Sequence, residues 1–162
     1  MQFVVFQLVF AQFFTYADLV FFEAEVIMQI KFIQLQKHGD DRGSLVSLEE
    51  QKNIPFPIKR VYYLFGTKEG VRRGFHAHKT LKQVAISLRG SCRFLLDDGK
   101  EKIELLLDNP AQGLLIESMI WREMYDFSDD CVLLVLTDDY YDESDYIRSY
   151  EEFTNQAVSA IS

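Results

Sequence analysis

SCRFLLDDGKEKIELLL, residues 91–107, holds two apolar-rich runs, Ser91–Leu96 and Lys102–Leu107, around Asp97-Asp98-Gly99-Lys100. An Asp-Gly pair between such runs favours a tight turn, so the segment is predicted to be a β-hairpin. Working outward, the same signature repeats. Upstream lie Ile58–Phe65, ended by Gly66, then Gly74–Lys79, and Gln83–Leu88, closed by Arg89-Gly90. Downstream lie Gly113–Glu117, Ile120–Phe127 and Val132–Thr137. Nearer the start, Lys31–Lys37 runs into the turn cluster Gly39-Asp40-Asp41-Arg42-Gly43, and Ser44–Leu48 follows before Pro55 and Pro57 break the chain. About nine or ten short strands at this spacing predict an all-β sandwich or small barrel. Only the tail, Ser144–Ala160, reads as a helix, with Tyr146, Ile147, Tyr150 and Phe153 on one face.

The chain has 162 residues, room for one domain with a real core. With 48% hydrophobic residues, 3 Pro and 8 Gly it is neither collagenous nor disordered. Its formal charge of −8 argues against DNA or RNA as a partner. Cys92 and Cys131 are too few for a disulfide scaffold, so a reduced, cytosolic context is expected, with both thiols buried and inert.

Residues 1–27 hold seven of the 14 Phe and no Lys or Arg. They lack the positive leading region of a signal peptide, and Gln2, Gln7, Gln12 and Asp18 interrupt any membrane span. The segment is given no chemistry, and a natural start is expected at Met28, with residues 28–162 as the functional domain.

Charge is segregated. Between Lys59 and Arg93 stand nine basic residues and one acid, Glu69, so this window carries +8 and the remainder −16. That pattern predicts a cationic site for a small anion within an acidic body. No Gly-x-Gly-x-x-Gly, Walker-type Gly-Lys-Ser/Thr, Cys-x-x-Cys or Gly-x-Ser-x-Gly motif occurs. Inside the basic window, Arg73-Gly74-Phe75-His76-Ala77-His78-Lys79 carries two of the three histidines. Strand alternation puts both imidazoles on one face and Ala77 on the other. Such a pair suits either a divalent metal or proton transfer near neutral pH.

Gly70, five residues, His76-Ala77-His78, four residues, Gln83, six residues and Gly90 resemble the first motif of the cupin superfamily. In metal-binding cupins the position of Gln83 is usually Glu, and a further histidine follows the glycine matched by Gly113. Here Met119–Met124 contains none. Two imidazoles and an amide fall short of a zinc or iron ligand set, so the resemblance implies a cupin jelly-roll β-barrel without metal and with a short C-terminal helix.

A fuller resemblance covers the chain from Met28. DDRGSLVSLEE, NIPFPIKRVYY, RRGFHAHK, LKQV, GSCRFLLDDGK, IWREMYDF, CVLLVL and DDYYDESDYIRSY, in that order, resemble the dTDP-4-keto-6-deoxyglucose 3,4-ketoisomerases. The resemblance implies a homodimer with exchanged N-terminal strands and no cofactor, acting in the biosynthesis of 3-amino-3,6-dideoxyhexoses for surface polysaccharide. Moving a ketone from C4 to C3 requires removal of the C3 proton and return of a proton at C4 through an enediol(ate), which acid–base groups alone can perform. His76 is then the base at C3 and His78 its partner, although the sequence does not order the two roles. For the diphosphate Arg73 is the first candidate, followed by Arg60 and Lys82. Gln83 is expected on the sugar hydroxyls. Tyr62 and Tyr63 point to opposite faces, so at most one reaches the pocket. Trp121 and Tyr125 either stack on the base or pack in the core. Arg42 and Arg122 occupy positions that in this family bear on which face of C4 is protonated, and Arg at both is a mixed pattern that leans to the galacto product. A metal-dependent cupin and a non-catalytic sugar-nucleotide-binding domain are the alternatives.

Overall fold

A computed structural model describes residues 28 and 30–159. Residues 1–27, expected to be an extension without chemistry ahead of a natural start at Met28, lie outside the described residues. Twelve strands run β1 Lys31–Gln34, β2 Lys37–Asp40, β3 Gly43–Val46, β4 Arg60–Phe65, β5 Arg73–His78, β6 Gln83–Arg89, β7 Cys92–Asp97, β8 Lys102–Leu107, β9 Gln112–Ile116, β10 Trp121–Tyr125, β11 Val132–Thr137 and β12 Tyr146–Ile147. A 3-10 turn at Glu143–Asp145 precedes β12, and one α-helix, α1 Tyr150–Ser159, ends the described chain. The strands form two five-stranded antiparallel sheets, in the orders β1-β9-β6-β11-β4 and β12-β5-β10-β7-β8, with β2 and β3 as a separate hairpin. This is the double-sheet jelly roll expected of a cupin.

Periodicity explains the layers. Ala85, Phe94, Leu96, Leu114, Leu133 and Val135, drawn from both sheets, pack into one core between them. In β6 the alternate residues Val84 and Ile86 face outward but are also buried, under Leu35, Ile54 and Phe56. A strand covered on both faces has no reason to alternate in polarity, which is why Gln83–Leu88 reads as a nearly continuous apolar run. On the far side of the second sheet, α1 lays Phe153 and Ala157 against Ala77, Trp121 and Ile147. The predicted hairpin pairs Cys92 through Asp97 with Leu107 through Lys102. In its turn, Gly99 has φ +91°, and a Cβ there would stand 2.6 Å from Ala157 Cβ, so the turn chemistry also makes room for the helix. Cys92 and Cys131 are free and buried, as expected.

Most strand ends lie within one or two residues of the sequence reading, and two segments differ in kind. Lys31–Lys37 splits at Leu35-Gln36, and the Gly39–Gly43 cluster becomes the β2–β3 hairpin with Asp41-Arg42 at its tip. The tail is a helix only from Tyr150. Tyr146 and Ile147 instead add a strand to the edge of β5, opposite His78 and Ala77. A helical spacing of aromatics cannot distinguish these states when a sheet edge nearby offers unpaired backbone groups.

Candidate active site

The site grows from β5. Its register against β10 shifts between Arg122, opposite His76, and Glu123, opposite Gly74. Phe75 sits at this bulge with φ +52°, and Gly74 has φ +92°. A Cβ on Gly74 would lie 2.6 Å from the Arg122 carbonyl oxygen, so only glycine lets the two strands close here. Beyond the bulge alternation holds. Ala77 is buried against the helix layer, while His76 and His78 turn to the opposite face with ring centroids 4.9 Å apart, edge to face.

Hydrogen bonds fix both rings. His76 Nδ1 lies 2.9 Å from the Gly74 carbonyl oxygen. A carbonyl only accepts, so the neutral ring carries its proton on Nδ1 and keeps its lone pair on Nε2. His78 Nδ1 lies 2.9 Å from Asp145 Oδ2, and its buried Nε2 has no partner among the described residues. Burial, followed by the charge of Arg122, pushes the His76 pKa down to about 4. Burial, Arg122 and His76 likewise lower His78, with Asp145 opposing them. Both imidazoles are therefore neutral at physiological pH.

His76 borders a cleft of about 410 Å³ whose walls include Arg60, Tyr62, Arg73, Tyr146 and Arg148. A narrow floor behind it is lined by Tyr62, Gln83, Arg122 and Met124. Arg73 is exposed and makes no ion pair among the described residues. Arg60 lies over the Tyr62 ring at 5.3 Å, and its buried Nε has no hydrogen-bond partner among the described residues. Gln83 donates its amide to the Tyr62 hydroxyl at 3.0 Å, which couples two residues of the predicted substrate site. Arg122 is buried to 1% exposure, and none of its three guanidinium nitrogens has a hydrogen-bond partner among the described residues. Burial pushes its pKa down to about 10.

The structure thus gathers His76, Arg60, Arg73, Tyr62, Gln83 and Arg122 around one cavity. His78 stands behind His76, outside the lining. Three predicted contacts fall elsewhere. Lys82 is exposed beyond the cleft, where its backbone N–H is capped by Asp138. Trp121 is buried on the helix side, 5.2 Å from the Tyr150 ring, because alternation places it opposite in direction to Arg122. Arg42 sits at the exposed hairpin tip in a salt bridge with Asp40, away from the cleft.

Asp145, Tyr146 and Arg148, which the sequence places in a helical tail, join the site. The Tyr146 ring lies 4.9 Å from His76 and 4.3 Å from His78, and Arg148 stacks on it at 4.4 Å. Glu143 holds Arg148 through two bonds, of 2.6 and 2.8 Å. No local signal marks these three residues, because Asp145 and Arg148 fall on the polar face of a helix whose apolar face would hold Tyr146, Ile147, Tyr150 and Phe153.

A family model described as FdtA, WxcM-like, C-terminal matches residues 28–158. The TDP-4-oxo-6-deoxy-alpha-D-glucose-3,4-oxoisomerase of Aneurinibacillus thermoaerophilus is 59% identical over 126 residues, 78% of this chain and 91% of its own. A 3,4-ketoisomerase from Helicobacter canadensis superposes with a TM-score of 0.79 at 45% identity, covering 82% of this chain and 99% of its own. QdtA, a sugar 3,4-ketoisomerase from Thermoanaerobacterium thermosaccharolyticum solved with TDP, gives 0.80 at 41% identity, covering 82% and 97%. With a family match over residues 28–158, 59% identity to the oxoisomerase and a shared fold, the chain belongs to the sugar-nucleotide 3,4-ketoisomerases.

Proposed function

We propose that the chain converts dTDP-4-keto-6-deoxyglucose to a dTDP-3-keto-6-deoxyhexose, with His76 as the base at C3. The observation that carries this assignment is the His76 ring in the cleft wall, its Nδ1 tied to the Gly74 carbonyl and its Nε2 left basic. His76 Nε2 takes the C3 proton, and the bonding pair moves through C4 onto the C4 oxygen to give an enediolate. The C3 hydroxyl gives up its proton, the C4 oxygen gains one, and a proton is delivered to C4. Buried Arg122, opposite His76, supplies positive charge where the enediolate develops. His78, behind His76, is the partner that handles the oxygen protons.

Relatives of the chain were solved with TDP and, for a variant of QdtA, with TDP-4-keto-6-deoxyglucose. Arg73, Arg60 and Arg148 supply the matching cations on the cleft wall here. Arg73→Ala is expected to weaken TDP binding about 10- to 100-fold, the loss of one or two charge-assisted hydrogen bonds. Calorimetric titration with TDP checks it, and unchanged affinity removes Arg73 from the diphosphate site.

The test of the reaction is incubation of dTDP-4-keto-6-deoxyglucose with the enzyme in D2O, followed by NMR. Deuterium is expected at C3 of the recovered 4-keto substrate and at C4 of the 3-keto product that appears. Binding of TDP without exchange would mark a binding domain instead. Repeating the incubation with a strong chelator is expected to leave the rate unchanged, since the reaction assigned to His76 and His78 needs only acid–base groups. Loss of activity that added zinc or iron restores would defeat that assignment.

The same reading includes a homodimer with exchanged N-terminal strands. Supporting it, Val61, Tyr63 and Phe65 leave the edge strand β4 with an exposed apolar face. In the described chain β1 pairs with its own β9, and exchange would make that pairing to a partner. No helix among the described residues is long and apolar enough to cross a membrane.

A further inference from the structure

The carboxylate of Asp145 makes four hydrogen bonds beside the histidine pair. Its Oδ1 accepts from the Thr80 backbone N–H at 2.8 Å and from the Thr80 hydroxyl at 2.7 Å. Its Oδ2 accepts from His78 Nδ1 at 2.9 Å and, more weakly, from the Leu81 N–H at 3.4 Å. The segment that carries it is pinned as well, because the Lys79 N–H donates to the Asp145 carbonyl and the Asp145 N–H to that of Asp142. One oxygen is thus committed to Thr80, and the other is aimed at the imidazole.

We propose that Asp145 is a positioning residue for the isomerase reaction, holding His78 as the Nδ1–H tautomer so that its Nε2, unpartnered among the described residues, keeps the lone pair that takes up the C3 hydroxyl proton during turnover. This rests on the ketoisomerase reading and adds a residue to it. The chemistry follows from the donor count. Thr80 presents two donors to Oδ1, so that atom must be an acceptor. The neighbouring Oδ2, as a carboxylate oxygen, can only accept from His78, which obliges the ring proton to sit on Nδ1. When Nε2 takes a proton the carboxylate then stands against an imidazolium, an arrangement that favours the charged ring. The groups facing His78 from the surrounding elements are His76 on β5, Arg122 on β10 and Tyr146 on β12. His76 and Arg122 oppose its protonation, and Asp145 alone among the charged groups that act on it favours it.

Asp145→Asn separates this from a merely structural role. The two Thr80 donors orient the amide with its oxygen toward Thr80, so its NH2 points at His78 Nδ1. His78 must then accept at Nδ1 and carry its proton on Nε2, the wrong tautomer, in a variant of unchanged size. The same exchange in a serine-protease triad costs about four orders of magnitude. Here we expect kcat to fall by about 100-fold or more while TDP affinity and KM stay within about threefold. In 15N-histidine-labelled protein, the His78 proton is expected on Nδ1 in the parent and on Nε2 in Asp145→Asn. A folded Asp145→Asn enzyme with parental kcat overturns the proposal. So does an Nε2–H tautomer of His78 in the unmodified protein, a measurement that does not depend on the variant folding. If the parent itself fails to isomerise dTDP-4-keto-6-deoxyglucose while the tautomers are as stated, the ketoisomerase reading fails and the tautomer lock stands.

Discussion

His76→Asn is expected to abolish deuterium exchange at C3 and to lower turnover by about 1,000-fold or more, with TDP affinity nearly unchanged. A general base contributes about 10²–10⁴ to a rate, and an amide nitrogen has no basic lone pair to replace it. Asn preserves polarity and roughly the space, so the loss measures chemistry and not collapse of the cleft. The pH profile gives an independent check. Burial and Arg122 hold the free His76 ring near a pKa of about 4. The ring is therefore an available base across the neutral range, and kcat/KM should be flat there and fall only as pH drops toward that value. In the complex the diphosphate adds negative charge to the cleft, which favours the imidazolium, so the acid limb of kcat should lie at higher pH than that of kcat/KM. Turnover and C3 exchange of His76→Asn followed by NMR in D2O decide the matter, and retained exchange removes His76 as the base.

The pairing of His76 with His78 was legible because it is local: alternation over three residues fixes it whatever the rest of the chain does. The strands β8 and β11 were legible to the residue, bounded by turn signals on both sides. What escaped depends on contacts distant in sequence. Asp145 meets His78 across 67 positions, and nothing in a Tyr-rich acidic tail marks it as the partner of a histidine in β5. The bulge at Phe75 also escaped, although Gly74 hinted at it, because the clash it avoids is with the Arg122 carbonyl on another strand. Lys82 was chosen for its charge and its place in the basic window, but it follows the turn out of β5 and stays on the surface. Trp121 and Arg122 are adjacent, so only one could face the cavity. Hydropathy would have placed the indole in a pocket as readily as in the helix-side core. The structure gives the interior position to the guanidinium.

That choice is costly, and Arg122→Met should expose the cost. A guanidinium buried to 1% exposure has no hydrogen-bond partner among the described residues to offset its burial, which is the unfavourable half of a buried ion pair. The lowered pKa reports the same penalty, since folding is opposed wherever the unfolded side chain is charged, at every pH of interest. Methionine fills much of the volume without the charge. Replacing buried charged groups by apolar ones of similar size is often neutral or stabilising by about 1–4 kcal/mol, so a higher urea midpoint at unchanged m is expected. Activity should move the other way, falling by about 10²–10³-fold, the scale associated with loss of one preorganised group that meets developing oxyanion charge. The histidines supply a third readout. Arg122 lowers the pKa of both His76 and His78, so its removal lets each ring protonate more readily and shifts the acid limb of kcat/KM to higher pH. A variant that is less stable, fully active and unshifted in pH would mean that Arg122 is a structural residue satisfied by a group outside residues 28–159. A more stable, slower enzyme with a raised acid limb would mean that the fold tolerates an unpaired cation because the enediolate is its partner.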